Sequence, residues 1–294
     1  MAVGAKRPRP RRLSKLSMTN VDYLSAATEI AREAGQILRH YSDRSVAVEY
    51  KGTYDVVTVA DRTSEDLVVR RLQERFPSHS IIGEEGANVD NGSENVWHVD
   101  PLDGTTNFAH GYPWFAVSIG LERNGEGIAG VVYNPITEEF YAAEKGAGAY
   151  LNNRRISVSP IDNLETGLFA TGFPASNRRE NPNVYYFHQF SVLTHGCRRA
   201  GSAALDLCSV AAGRFEGFWE FGLKSWDVSA GLVIVTEAGG TFSNMRGGPY
   251  RSGDADMFAS NGKVHEEALR LFARIRRGDL PAPVPAIPTI EPTA

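Results

Sequence analysis

The chain has 294 residues, 42% of them hydrophobic and 22% charged, with a formal net charge of -4 at pH 7, which is the balance of a globular protein with one large core or two smaller ones. That charge gives no overall draw toward nucleic acid, and no apolar run is long enough to span a bilayer. The two cysteines, Cys197 and Cys208, are too few for a disulfide framework and have no metal-ligand spacing, which predicts a reducing, cytoplasmic setting.

Met1 to Ser17 carries Lys6, Arg7, Arg9, Arg11, Arg12 and Lys15 and no acid. No apolar segment follows it, as an export signal requires. Residues 1–17 are therefore expected to be a disordered basic extension, with Met18 as the functional start. Apolar residues recurring every three or four positions predict a helix from Asn20 to Tyr41, with Asn20 or Thr19 as its cap. A strand is expected over Val46–Tyr50, a loop over Lys51–Asp55, and an extended run over Val56–Val59. A second helix is predicted from Ala60 to Phe76, buried along Leu67, Val68, Leu72 and Phe76 and ended by Pro77. Ile81–Gly83 reads as a strand, and the polar residues Ala87 to Glu94 as a mobile loop. Strands over Phe115–Leu121, Ile128–Tyr133, Glu139–Glu144 and Ala149–Leu151, separated by turn residues, imply antiparallel hairpins. From Ser157 the texture changes to α/β alternation. Helices are predicted over Asn183–His195, Ser202–Ala212, Trp226–Ala238 and Gly262–Arg276. Strands are predicted over Leu168–Ala170, Phe215–Trp219, Gly240–Phe242 and Met257–Ser260. The domain reading is an N-terminal α+β half over 18–156, a C-terminal α/β half over 157–276, and a Pro-rich disordered tail over 277–294.

Chemistry concentrates in Trp97-His98-Val99-Asp100-Pro101-Leu102-Asp103-Gly104-Thr105-Thr106-Asn107-Phe108. Two carboxylates stand three residues apart where a strand ends. Gly104 allows close backbone approach. Thr105, Thr106 and Asn107 are residue types that open helices, where free amides point outward. Carboxylates invite a hard cation such as Mg²⁺, and helix-start amides invite a phosphate oxygen. Asp-x-x-Asp-Gly-Thr also occurs in ordinary turns, so the motif alone leaves both readings open. Two further acids stand at element ends: Glu84 after a strand, and Asp227 at the mouth of an apolar helix, where an ordinary N-cap is the competing reading. His98 is expected to be packed and hydrogen-bonded, and Phe215, Phe218, Trp219 and Phe221 to be core or pocket wall.

Gly83-Glu84-Glu85, Asp100 to Phe108 and Trp226-Asp227-Val228-Ser229-Ala230-Gly231 resemble, in order and separation, the three signatures of the inositol monophosphatase family. Gly201 to Leu207 with Gly213-Arg214, and Glu220 seven residues before Asp227, are similar to the bacterial inositol-1-monophosphatases. The resemblance runs from about Asn20 to Arg276. It implies a layered αβαβα sandwich of the metal-dependent sugar phosphatase type, a fold of mixed α/β class. It implies two Mg²⁺ ions: one on Glu84, Asp100 and the Leu102 carbonyl, the other on Asp100, Asp103 and Asp227, with a third, weaker site near Glu84. It implies catalytic roles for Glu84, Thr105 and Asp61, the last pairing with Thr105 to orient the attacking water. Gly104 and Thr105 would offer amides to phosphate. Ser202, Ala203, Glu220 and Asp227 would contact the sugar or cyclitol. The implied activity is hydrolysis of myo-inositol monophosphate by a lithium-sensitive homodimer acting on a small phosphate ester. Fructose-1,6-bisphosphatase activity in the same site is the near alternative, and a non-catalytic binding role on the same fold the distant one. Leaving-group choice is expected to fall to Ala87–Glu94 and Phe173–Asn183.

Overall fold

A computed structural model of the chain describes residues 21–42, 48–50, 56–173 and 180–284. Helix α1 (Val21–Ser42) is followed by an antiparallel pair, β1 (Val48–Tyr50) and β2 (Val56–Thr58). Helix α2 (Val59–Arg75) starts at a capping box: Thr58 Oγ1 accepts from the Ala60 amide, and Asp61 reaches back to the Thr58 amide. Then come β3 (Ser80–Gly83), β4 (Asn88–Val89), β5 (Asn95–Asp103), the short α3 (Thr105–Ala109), β6 (Ala116–Arg123), β7 (Glu126–Asn134), β8 (Glu139–Glu144), β9 (Gly148–Leu151) and β10 (Arg154–Arg155). These strands form an eight-stranded sheet in the order β10-β9-β8-β7-β6-β5-β3-β4, antiparallel except for the parallel pair β3–β5.

The remainder alternates: β11 (Leu168–Thr171), α4 (Asn183–Leu193), β12 (Gly196–Arg198), α5 (Ala203–Ala211), β13 (Gly217–Phe221), α6 (Ser225–Glu237), β14 (Thr241–Ser243), β15 (Asp256–Ser260) and α7 (His265–Arg276). Its five-stranded sheet runs β12-β11-β13-β15-β14, with β11 parallel to both neighbours. Helices α1 and α2 bury Ile30, Leu38, Val68 and Leu72 against Trp97, Val99, Ile119 and Leu121 of the large sheet. Helices α5 and α6 fill the space between the sheets. Helices α4 and α7 close the far side over Phe169, Trp219 and Phe258. The result is the αβαβα sandwich. Strand alternation sends Trp97 and Val99 of β5 toward α1 and α2, and His98 and Asp100 toward α6.

Helix α6 lies unusually near the sheet because glycines face it. A Cβ on Gly120 would stand 2.5 Å from Ser229 Oγ, and one on Gly130 would stand 2.5 Å from the Ala230 carbonyl oxygen and 2.8 Å from its Cα. A backbone neighbour cannot rotate aside, so Gly130→Ala is expected to destabilise the protein by about 1–3 kcal/mol. A lower urea midpoint with an unchanged slope is the measurement.

The structure departs from the sequence reading in four places. The buried positions of α2 are Ala60, Asp61, Ser64, Glu65, Val68 and Leu72, whereas Leu67 and Phe76 are half-buried. Within Ala87–Glu94, read as a mobile loop, Asn88 and Val89 pair with β3, and the Asn91 side chain donates to the Pro77 and His79 carbonyls. The expected disordered tail is anchored at Ala282, which is buried and exchanges two hydrogen bonds with the Gln189 side chain. Strands β4, β10 and β12 are too short to show alternation in sequence. The basic extension over 1–17, the helix cap at 19 or 20, residues 46–47, the loop over 51–55, residues 174–179 and the tail beyond 284 lie outside the described residues.

Candidate active site

The site is built where the parallel strands β3 and β5 end together. Their register pairs Gly83 with Val99, so the next residue of each strand, Glu84 and Asp100, come side by side. The Glu84 amide donates to the Val99 carbonyl at 3.2 Å, and the two carboxyls hydrogen-bond to each other. Beyond Asp100 the register with β6 slips, three residues of β5 spanning two of β6 before Asp103 pairs with Ala116. This bulge turns Pro101 and Leu102 out of the ladder. Asp100 Oδ1 accepts from the Leu102 amide at 3.0 Å.

Gly104 then reverses the chain with φ 92°, and a Cβ there would press on the Trp114 carbonyl oxygen at 2.9 Å. Helix α3 begins at once, with Thr105 in its first turn. The Thr105 hydroxyl stands 3.0 Å from both Asp61 Oδ1 and the Leu102 carbonyl oxygen. Asp61 therefore serves two readings with two oxygens: Oδ2 accepts from the Thr58 amide and hydroxyl as a helix cap, and Oδ1 faces Thr105. It is fully buried, and burial raises its carboxyl above the ordinary range against the pull of those hydrogen bonds.

From the other half, α5 and α6 point their N-terminal turns at the same place. Asp103 Oδ2 accepts from Ser202 Oγ at 2.5 Å and from the Ala204 amide at 2.8 Å. The Ser202 hydroxyl, expected against the substrate, donates to Asp103 and caps the Leu205 amide. Ala203 lies in the same buried helix start. Asp227 accepts from the Lys224 amide through Oδ2 at 2.6 Å, so it caps α6 and keeps its other oxygen. Glu220, on β13, sits against Gly172, where a Cβ would overlap its carboxylate.

These acids press on one another. Burial first, then the charges of Glu84, Asp103 and Asp227, push the Asp100 carboxyl well above the usual carboxylate range. Burial carries Asp103 up to about 6 against the opposing pull of Ser202 and the Ala204 and Ala203 amides. Burial carries Asp227 up to about 7, with the Lys224 amide opposing and the Asp103 charge adding. Burial and the Asp227 and Asp103 charges bring Glu220 to about 8, with Arg199 opposing. Asp227 and Glu220 retain some solvent contact, which screens them more than Asp100 and Asp103 are screened.

Among the described residues, no three His, Cys, Asp or Glu side chains stand close enough round one point to hold a metal ion as they are placed. The donor chemistry nevertheless fits one. Glu84, Asp100, Asp103, Asp227 and the Leu102 carbonyl are all hard oxygen donors, the set that suits Mg²⁺ and not a soft or borderline metal. Asp103 and Asp227 each use one carboxylate oxygen in a protein hydrogen bond, which fixes the side chain and leaves the other oxygen for the site.

Two positioning residues escaped the sequence reading, and a third, Asn107, has a role that reading did not assign. Glu65 accepts from the Glu85 and Ala87 amides at 2.9 and 3.2 Å, holding the turn that carries Glu84. Ser64 donates to the Pro101 carbonyl at 3.0 Å. Asn107 donates to the Trp114 and Ala200 carbonyls, tying α3 to the loop before α5. Asp206 of α5 is also buried near the site, with Oδ1 lacking a hydrogen-bond partner.

Comparison with known proteins gives one consistent answer. The family model described as the inositol monophosphatase family matches residues 20–277. The chain is 41% identical over 249 residues to the inositol-1-monophosphatase of Mesorhizobium japonicum, covering 84% of this chain and 91% of that protein. It is 41% identical over 254 residues to Nus factor SuhB of Pseudomonas aeruginosa, covering 84% and 94%. The solved structure of inositol monophosphatase from Anabaena (Nostoc) matches with a TM-score of 0.77 at 41% identity, over 86% of this chain and 96% of that one. The chain belongs to the inositol monophosphatase family and has the fold of a phosphatase.

Proposed function

We propose that this phosphatase is a Mg²⁺-dependent phosphomonoesterase that hydrolyses myo-inositol monophosphate to myo-inositol and phosphate. The observation that supports this reading is that Glu84, Asp103 and Asp227 all act electrostatically on the buried Asp100, with the Thr105–Asp61 pair at the start of α3 three residues beyond Leu102. Glu84, Asp100 and the Leu102 carbonyl would hold one cation, and Asp100, Asp103 and Asp227 a second, with Asp100 shared. Bound divalent cations offset the repulsion between a phosphate dianion and an incoming nucleophile. Were the Leu102 carbonyl taken by a cation, the Thr105 hydroxyl would donate to Asp61 Oδ1 alone, and its oxygen would be left to accept from a water that Glu84 would also orient. Asp61 keeps its place because Thr58 holds its other oxygen. The first-turn amides at Gly104 and Thr105 have no intrahelical acceptor and suit phosphate oxygens. Glu220 and Asp227 would receive ring hydroxyls of the cyclitol.

The test is phosphate release from myo-inositol 1-phosphate, fructose 1,6-bisphosphate, 3′-phosphoadenosine 5′-phosphate and histidinol phosphate, each with Mg²⁺ and with EDTA. Metal-dependent turnover with inositol phosphate preferred is the expected result. Preference for fructose bisphosphate would keep the chemistry and change the substrate. A folded protein that releases phosphate from none would overturn the reading in favour of a binding role, of the kind that the name of the Pseudomonas relative suggests.

Glu65→Ala removes the acceptor that holds the Glu84 turn without touching a proposed ligand. Partners behind a metal ligand typically contribute 10–100-fold in affinity. The Mg²⁺ concentration for half-maximal turnover is expected to rise by about that factor, with turnover largely regained at high Mg²⁺. An unchanged Mg²⁺ profile would leave Glu65 a purely structural part.

A further inference from the structure

Strand β5 carries Asp100 and helix α6 carries Asp227, and both acids belong to the cation set proposed above. The helix meets the sheet on a row of glycines. Gly120 faces Ser229, Gly127 faces Val233 and Gly130 faces Ala230, and a Cβ on each would stand 2.5 to 2.6 Å from its neighbour. Such a face lets the helix come close but gives it no side chain to key into. Apolar contact is non-directional, so it sets the depth of the helix better than its position along or around its own axis. Directional hydrogen bonds can fix the rest.

Glu122 of β6 is placed to supply them. In the sheet His98 pairs with Gly120 and Val96 with Glu122. Because Gly120 has no side chain, His98 reaches diagonally to Glu122, Nε2 standing 3.4 Å from Oε2. The buried Ser229 hydroxyl hydrogen-bonds the same carboxylate and has no other partner among the described residues. Burial pushes the Glu122 carboxyl up, but His98 and Ser229 outweigh it and the net direction is down. Bonds to an ionised carboxylate are charge-assisted and stronger than neutral ones. His98 stands two residues before Asp100 on the same face of β5. Ser229 stands two residues after Asp227 on α6. The Ser118 hydroxyl adds a weaker tie to the Trp226 carbonyl, at 3.5 Å.

We propose that Glu122, gripped by His98 and Ser229, is a positioning residue that locks α6 onto β5 and β6 and so sets where Asp227 stands relative to Asp100. The inference rests on the proposed cation set, in which Glu122 itself has no place. A site of this kind has to be held to about 0.5 Å, and one side chain here bridges the two elements that carry its acids. A plain brace for the helix would behave differently. Glu237, ten residues along α6 from Asp227, is such a brace: it accepts from the Gly146 and Gly148 amides, both at 2.8 Å.

The test uses the full chain, stripped with EDTA and titrated with Mg²⁺ by calorimetry, with Tm in EDTA recorded for every variant. Glu122→Ala is expected to weaken Mg²⁺ binding about tenfold, the low end for groups that stand behind a metal ligand. Ser229→Ala removes one hydroxyl and keeps the packing on Gly120. It is expected to weaken binding about threefold, and the double variant no more than Glu122→Ala alone, because members of one network do not add. Glu122→Gln keeps an acceptor oxygen and is expected to recover most of the loss. Glu237→Gln is expected to lower Tm and leave Mg²⁺ affinity at the parental value. Parental affinity in both Glu122→Ala and Ser229→Ala, an equal loss in Glu237→Gln, or additive losses in the double variant would each overturn the proposal and leave the cation set standing. If Glu122→Ala does not fold, Ser229→Ala against Glu237→Gln decides the same question. A parent chain that binds no Mg²⁺ would overturn the cation set itself, and this inference with it.

Discussion

Asp103→Asn is expected to lower phosphate release about a thousandfold or more, while leaving the metal-free protein at least as stable as the parent. Asp103 ends the bulge of β5, and its Oδ2 is fastened by Ser202 and the Ala204 amide. An asparagine there satisfies the amide donor only by giving that place to its carbonyl oxygen. Its NH₂ then faces the position where the carboxylate oxygen would have held a cation. A cation in a phosphoryl-transfer site contributes several kcal/mol of transition-state stabilisation, and each 1.36 kcal/mol is a factor of ten in rate. Stability moves the other way, because the substitution removes one charge from a group of buried acids that raise one another. Turnover across a Mg²⁺ series and Tm in EDTA are the two readouts. Near-parental turnover would remove Asp103 from the proposed cation set. A collapse in Tm would make the lost activity a folding effect.

How much of this could be read from the chain depends on how local each interaction is. Asp100, Asp103, Gly104 and Thr105 lie within six residues, so strand end, bulge, reversal and helix start are all written in one stretch. Glu84 is legible because it follows a strand whose parallel pairing places it beside Asp100. Asp227 stands out because an acid heads an otherwise apolar helix. For Asp227 the cap and the site stand as rivals in the sequence, yet one carboxylate has two oxygens: Asp227 caps with Oδ2 alone, and Asp61 shows the same device with both oxygens partnered, one by Thr58 and one by Thr105. What stayed hidden was the support. Glu65 and Ser64 look like the polar side of an amphipathic helix, and their partners lie 20 and 37 residues away. Their burial breaks the apolar stripe expected for α2, because that helix packs beside the site and holds it by hydrogen bonds. The anchor at Ala282 is hidden for a similar reason: Pro-rich composition says nothing of a Gln189 side chain that offers both a donor and an acceptor to it.

Without metal, the protein is expected to lose stability as pH rises from about 5 to 8, and with saturating Mg²⁺ to gain it. Asp103 moves from 3.8 to about 6, Asp227 from 3.8 to about 7, and Glu220 from 4.5 to about 8. Between each ordinary value and the folded one, the folded chain holds a proton that the unfolded chain has released. The folded state therefore binds more protons across that window, and unfolding becomes easier as pH climbs through it. The stability these groups contribute is complete below about pH 4 and gone once pH exceeds the folded values. Carboxyls shifted the other way, Glu122 and Glu139, titrate below this window and do not offset the trend. Cation binding requires the ionised carboxylates, so it strengthens as those protons leave and adds stability by mass action. Each pH unit of displacement corresponds to 1.36 kcal/mol; these acids raise one another, so their shifts do not add, but a joint effect of even ~2–3 kcal/mol moves Tm by roughly 5 °C in a chain of this size. Tm measured from pH 5 to 8 in EDTA and in Mg²⁺ should give lines of opposite slope that diverge toward alkaline pH. Parallel lines would mean that these acids do not share a cation, and with that the proposed metal dependence would fall.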